Sequence, residues 1–418
     1  MTIESFVSLQ ELERTSKPSE YGPGASSGVK APKRAAMGSQ SALPEMYRDM
    51  APAELDNRIA AARRTLGADL VILGHHYQRD EIIKHADFRG DSFKLSQLAA
   101  GRTEARYIVF CGVYFMAESA DILSGPKQTV ILPNLTAGCS MADMANLSDV
   151  SVAWEVLRKE VGGTIIPVTY MNSAADLKAF CGENGGIVCT SSNAPTVLRW
   201  AFQRGQKVLF FPDEHLGRNT ADKIGVAPEA VSVWDPRHVP NSAERAAQAE
   251  LIVWKGFCSV HERFTVEQIE RARADYPGCE VIVHPECRRE VVQAADGDGS
   301  TEFIIERIEA ARPGSTIAVG TEINLVNRLA QEHADKTIFC LDPVVCPCST
   351  MYRIHPAYLA WVLDGLLTDN VLNSVRVDDR TAHFARLALN RMLQVASPRS
   401  STRFNKAGRS FGGHPAAV

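Results

Sequence analysis

From about Asp69 to about Thr350 the chain alternates short β-branched and aliphatic runs with longer amphipathic stretches. Apolar runs of this length, bounded by Gly, Asp, Asn and Ser, predict strands buried on both faces; the stretches between them predict helices. Strand and helix in alternation are the mark of βαβ units, so the fold class is α/β with parallel sheets.

The alternation also repeats. A first unit runs through ADLVILGHHYQ, FKLSQLAAG, YIVFCGV, FMAESADILSG and QTVILPN to LTAGCSMAD. A second runs through GTIIPVTYMNS, IVCTSSNAPTVLRWAFQ, KVLFFPDEHLGRNTADKIG and ELIVWKGFCSVHERF. A third runs through CEVIVHPEC, DGSTEFIIERIEAA, STIAVGTEINLVNRLAQE and KTIFCLDPVVCPCSTM. Each unit reads as three strands in the same order. The expected architecture is three homologous three-layer αβα domains around a pseudo-threefold axis, with a central cavity at their junction. The boundaries fall at 49–141, 142–260 and 261–348, the first unit being completed by C-terminal helices at about 350–396. Residues 1–48, rich in Ser, Gly, Pro, Lys and Ala, predict a flexible extension, and residues 397–418 a similar tail.

Matched positions carry matched chemistry. After each first strand come polar or aromatic groups: His75 and Tyr77, Tyr170 and Asn172, His284 and Glu286. A hydroxyl opens the next helix: Ser92, Ser191, and Ser300 with Thr301. A cysteine closes each unit: Cys139, Cys258 and Cys346. From Ser92 to Cys139 is 47 residues and from Ser300 to Cys346 is 46; from Ser191 to Cys258 is 67, the excess lying in KIGVAPEAVSVWDPRHVPNSAERAAQ. Ligands of open α/β sheets bind beyond the carboxyl ends of the strands, where all three series lie.

Composition narrows the chemistry. With 45% hydrophobic and 22% charged residues the chain is ordinary for a globular protein, and a net charge of −4 leaves no basic footprint for nucleic acid. No apolar run is long enough to span a membrane, and the N-terminus lacks a signal-peptide pattern, so a cytoplasmic location is expected. Ten cysteines then stand out, because disulfides rarely persist in a reducing compartment. Three converging thiolates suit a soft metal or an iron–sulfur cluster, and three rather than four would leave one iron open as a Lewis acid. Cys111 and Cys340 read as core, Cys181 and Cys279 as peripheral, and Cys189 and Cys287 as cavity lining without ligation. Cys346-Pro-Cys348 offers two candidates in one loop. Hydroxyls at helix starts favour a small polyanion such as a phosphate or dicarboxylate. Neither GxGxxG after a strand nor GxxxxGK[ST] occurs, so dinucleotide and ATP sites are not expected. His75, Tyr77, Tyr170, His284 and Glu286 supply acid–base groups, whereas HLGRN at 215–219 and His261 in CSVH are weaker and stay outside the catalytic set. A zinc or iron hydrolase and a small-anion-binding protein remain alternatives on the same scaffold, and a thiol–disulfide protein is the weakest.

The motifs GHHYQ, RGDSFKLS, CGVYFMAESADIL, AGCSMADM, TYMNS, CTSSNA, GFCSVH, VHPEC, STEF and VGTEINLV together resemble the quinolinate synthase family of bacterial de novo NAD biosynthesis. The resemblance implies a [4Fe–4S] cluster held by one cysteine from each unit, at Cys139 in AGC, Cys258 in GFC and Cys346 in VVCP. It implies a transferase that condenses iminoaspartate (iminosuccinate) with dihydroxyacetone phosphate to quinolinate, phosphate and water, in functional linkage with L-aspartate oxidase. Substrate contacts carry over to His75, Ser92, Tyr170, Met171, Asn172, Ser191, His284, Pro285, Glu286 and Thr301. Tyr77 matches the family's proton-transfer tyrosine, and proton abstraction next to imine or carbonyl carbons is expected to use Glu286, His284 and Tyr77 as bases. The chain departs from the family in its long N-terminal extension and in CPC where some members have a CxxC redox switch, so no such switch is assigned.

Overall fold

The structure, a computed structural model, describes residues 40–342, 344 and 347–395. Cys346, and the terminal segments 1–39 and 396–418, lie outside the described residues.

Three separate sheets form. In the first, β1 (Leu70–His75), β2 (Phe88–Gly90), β3 (Tyr107–Cys111) and β4 (Thr129–Ile131) are parallel and ordered β2-β1-β3-β4. In the second, β5 (Ile165–Tyr170), β6 (Ile187–Cys189), β7 (Lys207–Phe211), β8 (Val231–Trp234) and β9 (Leu251–Trp254) are ordered β6-β5-β7-β9-β8. In the third, β10 (Glu280–Val283), β11 (Gly297–Asp298), β12 (Thr316–Gly320) and β13 (Thr337–Cys340) are ordered β11-β10-β12-β13. In every sheet the second strand lies on one side of the first and the third on the other, with β4, β9 or β13 beyond the third. The shared count is four strands, not the three expected. The extra one (β2, β6 or β11) is only two or three residues long, too short to show a period. The insertion in the second unit forms β8 on the outer edge and the helix Val239–Gln248, so it lengthens the unit without breaking the common order.

Why these runs become strands is visible in the third sheet. Val281 and Val283 enter one apolar cluster, while Ile282 between them enters the cluster on the opposite face. Successive side chains alternate across a strand, so a continuous apolar run fits only a sheet covered on both sides. The first two units share a single continuous core.

Helices open at the carboxyl ends of the strands. Asp91 accepts from the Lys94 N–H at 2.9 Å and caps α1 (Ser92–Gly101), leaving the Ser92 hydroxyl outside the cap. Ser300 caps α3 (Thr301–Ala310), accepting from Phe303 N. Ser191 lies in the turn before α2 (Ala194–Phe202), where Asn193 Oδ1 accepts from Thr190 N.

Two domain expectations are corrected. The chain from Gln40 is already packed: Leu43 and Tyr47 are buried, and Tyr47, in the short helix Glu45–Arg48, donates from Oη to Asp364 at 2.8 Å. Residues 40–48 therefore belong to the fold and not to a flexible extension. The C-terminal helices also divide between units. Pro356–Leu367 packs against Pro52–Leu66 of the first unit, and Ser374–Val375 adds an antiparallel strand to β4. Asp379–Val395 instead lies along Ala175–Glu183 of the second unit. Gly182 permits this, since a Cβ there would stand 1.9 Å from the Phe384 carbonyl oxygen. Arg391 then reaches the carbonyl of Gly186 at 2.6 Å.

Candidate active site

The carboxyl ends of β1, β5 and β10 meet at a cavity of about 70 Å³. Its walls include His75, Tyr77 and Ser92 of the first unit, Tyr170, Asn172, Ser191 and Cys258 of the second, and His284, Glu286 and Thr301 of the third. Cys139 and Cys348 complete the sulfur-bearing wall. Met171 and Pro285 are not among the lining residues. Met171 packs behind the wall, its sulfur accepting from Ser119 Oγ, and the Pro285 carbonyl accepts from Asn219 Nδ2 at 2.9 Å.

His75 and His284 occupy the same kind of turn. In each, the imidazole Nδ1 accepts from a main-chain N–H two residues on, that of Tyr77 at 3.1 Å and that of Glu286 at 3.3 Å. Burial pushes both imidazoles down to about 3, so they are neutral near pH 7. A neutral ring whose Nδ1 accepts carries its proton on Nε2, which makes both residues donors from that atom.

Glu286 is the hub. Tyr170 Oη donates to its Oε1 at 2.5 Å, and His261 Nδ1 lies 2.8 Å from its Oε2. Burial favours the acid form, but the His284 and His261 imidazoles and the hydrogen bonds from His261 and Tyr170 outweigh it and hold the carboxyl below its ordinary range. Burial and the nearby Glu286 charge raise both Tyr77 and Tyr170, so these remain phenols. His261 is the residue that sequence reasoning undervalued. It stacks on His284 with ring centroids 4.5 Å apart, and its Nε2 lies 3.1 Å from Thr321 Oγ1. Its place three residues after Cys258 was the available signal. His215 pairs with Glu262 at 2.7 Å and is not among the cavity-lining residues.

Three buried polar atoms in the wall have no hydrogen-bond partner: Asn172 Oδ1, Thr190 Oγ1 and Thr301 Oγ1. An orphaned buried polar atom is costly unless a ligand satisfies it. Asp91, on the same rim, accepts from Ser192 Oγ at 2.6 Å and so ties the second unit to the start of α1.

The thiols fit a metal centre. Burial pushes Cys139 up to about 12 and raises Cys258 and Cys348 too, so without a cation all three are neutral. Iron or a comparable soft metal supplies the charge that draws thiolates from such a pocket. A Cys258 Sγ, a His261 ring nitrogen and a Glu286 oxygen also lie within 4.8 Å of one another. Cys348 lines the cavity, and its N–H donates to Glu322 Oε1 at 3.2 Å. Cys181 and Cys279 are buried, not peripheral. Cys189 and Cys287 are buried as well, but neither is among the lining residues.

The sequence profile of the family described as quinolinate synthetase A protein matches residues 57–394. The chain belongs to that family. It is 58% identical over 381 residues to the quinolinate synthase of Corynebacterium glutamicum, covering 90% of this chain and 96% of that protein. It is 55% identical over 355 residues to the quinolinate synthase of Acidobacterium capsulatum, covering 84% and 95%, and 52% identical to that of Halalkalibacterium halodurans, covering 85% and 97%. Family membership marks the chain as an iron–sulfur enzyme. Among the described residues no helix is long and apolar enough to cross a membrane.

Proposed function

We propose that this chain carries out the reaction of its family, condensing iminoaspartate with dihydroxyacetone phosphate to quinolinate, phosphate and water, with L-aspartate oxidase as the source of the imine. The observation that carries the reading is one cavity holding thiols, neutral imidazole donors and a hydrogen-bonded carboxylate from three sheets. Cys139, Cys258 and Cys346 would hold a [4Fe–4S] cluster, which when bound supplies an open iron as a Lewis acid for hydroxyl or carbonyl oxygen.

The chain's own residues do the rest. Ser92, Ser191, Thr301 and Asn172 bind carboxylate and phosphate oxygens, two of them at or beside starts of helices ten residues long, where free N–H groups favour anions. His75 and His284 donate from Nε2 to substrate oxygens. Glu286, ionised and buried, is the base, and Tyr77 is placed to give or take a proton on the opposite side of His261. Met171 and Pro285 shape the loops that carry Tyr170 and Glu286. The common strand order of the three sheets favours reading the units as repeats about a pseudo-threefold axis with the cavity upon it.

The test is iron and sulfide content of anaerobically purified protein, with a quinolinate assay on the same sample. Roughly four irons with quinolinate formation is the expected result. A mononuclear or zinc-loaded protein without quinolinate formation would favour the hydrolase reading.

A further inference from the structure

Cys258, His261 and Glu286 bring together a thiol, an imidazole and a carboxylate whose ligand atoms all lie within 4.8 Å of one another. The local chain sets the first two. The Glu262 N–H donates to the Cys258 carbonyl at 2.9 Å, closing one turn that holds Cys258 and His261 three residues apart. The third comes from the loop after β10, with Glu286 Oε2 2.8 Å from His261 Nδ1. Both His261 and Glu286 are buried, and each is also held from behind. His261 Nε2 lies 3.1 Å from Thr321 Oγ1, and Glu286 Oε1 accepts from Tyr170 Oη at 2.5 Å. A metal-bound histidine commonly spends its other ring nitrogen on such an outer bond, and a metal-bound carboxylate is in turn hydrogen-bonded. The atoms left facing each other, Nδ1 and Oε2, are those a metal would take.

We propose that Cys258, His261 and Glu286 form a mononuclear zinc site in the iron-free chain, exclusive of the three-cysteine site because Cys258 serves both. One sulfur, one imidazole nitrogen and one carboxylate oxygen are all ordinary zinc donors, and three protein ligands leave the fourth position to water. Tetrahedral zinc with bonds of about 2.0–2.1 Å sets its nitrogen and oxygen ligands about 3.3 Å apart, so the 2.8 Å contact opens by about half an ångström. The charges also close. A zinc dication with one thiolate, one carboxylate and a neutral imidazole is neutral overall, which suits a buried position. On binding, the Cys258 thiol releases its proton to solvent. The imidazole proton moves from Nδ1 to Nε2, where Thr321 Oγ1 accepts it, and no other proton changes hands. Zinc seated here takes away Cys258 as an iron ligand and Glu286 as a base, so it blocks iron loading and turnover together. Zinc binding itself is independent of the reaction proposed above.

The experiment titrates the full chain, stripped of iron under anaerobic conditions, with zinc against a competing chelator. One zinc per chain is the expected result, and no zinc held overturns the site. X-ray absorption of the zinc-loaded wild type needs no variant: one sulfur at about 2.3 Å with nitrogen and oxygen at about 2.0–2.1 Å is expected, and two or more sulfurs overturn it. Among variants, Cys139→Ser should bind zinc within about threefold of wild type. Loss of a mere outer partner costs a metal site about 10–100-fold, so His261→Ala should weaken zinc by about a hundredfold or more. The reverse pattern, or equal affinity in His261→Ala and wild type, overturns the assignment. Exclusivity is read on the holoenzyme: iron-loaded protein should take up no stoichiometric zinc, and zinc added before iron and sulfide should prevent iron loading. Zinc and a full iron complement in the same chain would overturn it. Failure of iron-loaded wild type to form quinolinate would instead remove the reaction and leave the zinc result standing.

Discussion

At the scale of single residues, the groups proposed to hold metal and those proposed to move protons have different expected outcomes. Glu286→Gln keeps the shape and can still accept from Tyr170, but it removes the charge that both His261 and Tyr170 face. The variant should retain its iron, while quinolinate formation falls by about 10²–10⁴, as for the loss of a general base. Near-normal turnover by a folded variant would take Glu286 out of the chemistry. The cysteines divide differently. Cys139→Ser, Cys258→Ser and Cys346→Ser should each lose iron and activity, and Cys348→Ser should keep roughly four irons. The presence of Cys348 in the cavity wall sharpens this comparison. Iron loss from Cys348→Ser with iron retained by Cys346→Ser would transfer the third ligand to Cys348. The trio Cys258, His261 and Glu286 shows why single-residue reading underrated His261. In sequence it is one histidine among eleven; only in space does it touch the carboxylate on one side and Thr321 on the other.

At the scale of elements, the second unit owes part of its cover to a helix from the far end of the chain. Asp379–Val395 packs on Ala175–Glu183 because Gly182 offers bare backbone at the crossing. Gly182→Ala should force the helices apart, since the added methyl meets a carbonyl oxygen and not a movable side chain. Overpacking of this kind costs about 1–3 kcal/mol, read as a lower urea midpoint at an unchanged m-value. An unchanged midpoint would mean that the helix is not held at this crossing. The pattern of the chain showed a helix here but not its partner. An amphipathic stripe states that a face is buried, and carries nothing about which neighbour buries it.

At the scale of the whole molecule, burying imidazoles at the junction ties stability to pH. His75 and His284 are pushed down to about 3 in the folded protein, against an ordinary value of 6.5. Between those values the unfolded chain binds protons that the folded chain does not, so stability rises with pH across this window. It is fully present above about 6.5 and drains away as pH falls toward 3. Glu286 has the same sign, its depressed carboxyl contributing stability above 4.5 that is lost as the pH falls through about 2. The thermal midpoint should therefore fall steadily from pH 7 to pH 4. His284→Asn should flatten that dependence; an equally steep fall in the variant would assign the pH effect to other groups.

What the sequence determined by itself is whatever local pattern encodes. Runs such as LVIL, VLFF and EVIV specify strands buried on both faces, and their recurrence specifies parallel sheets. The His-Pro-Glu turn was legible because proline and main-chain bonding hold its two titratable groups at a set offset. Motif resemblance reached the family. What only the tertiary structure decided depends on contacts between distant segments. The two- and three-residue second strands form because a neighbouring strand supplies their hydrogen bonds, so no period of their own announces them. Tyr47 folds down because a helix more than 300 residues later offers it an acceptor in Asp364. The alignment of Tyr77, Thr321, His261 and Glu286 likewise has no local signature. Hydrogen-bond distances between them are set by how three sheets pack, and sequence spacing does not record that packing.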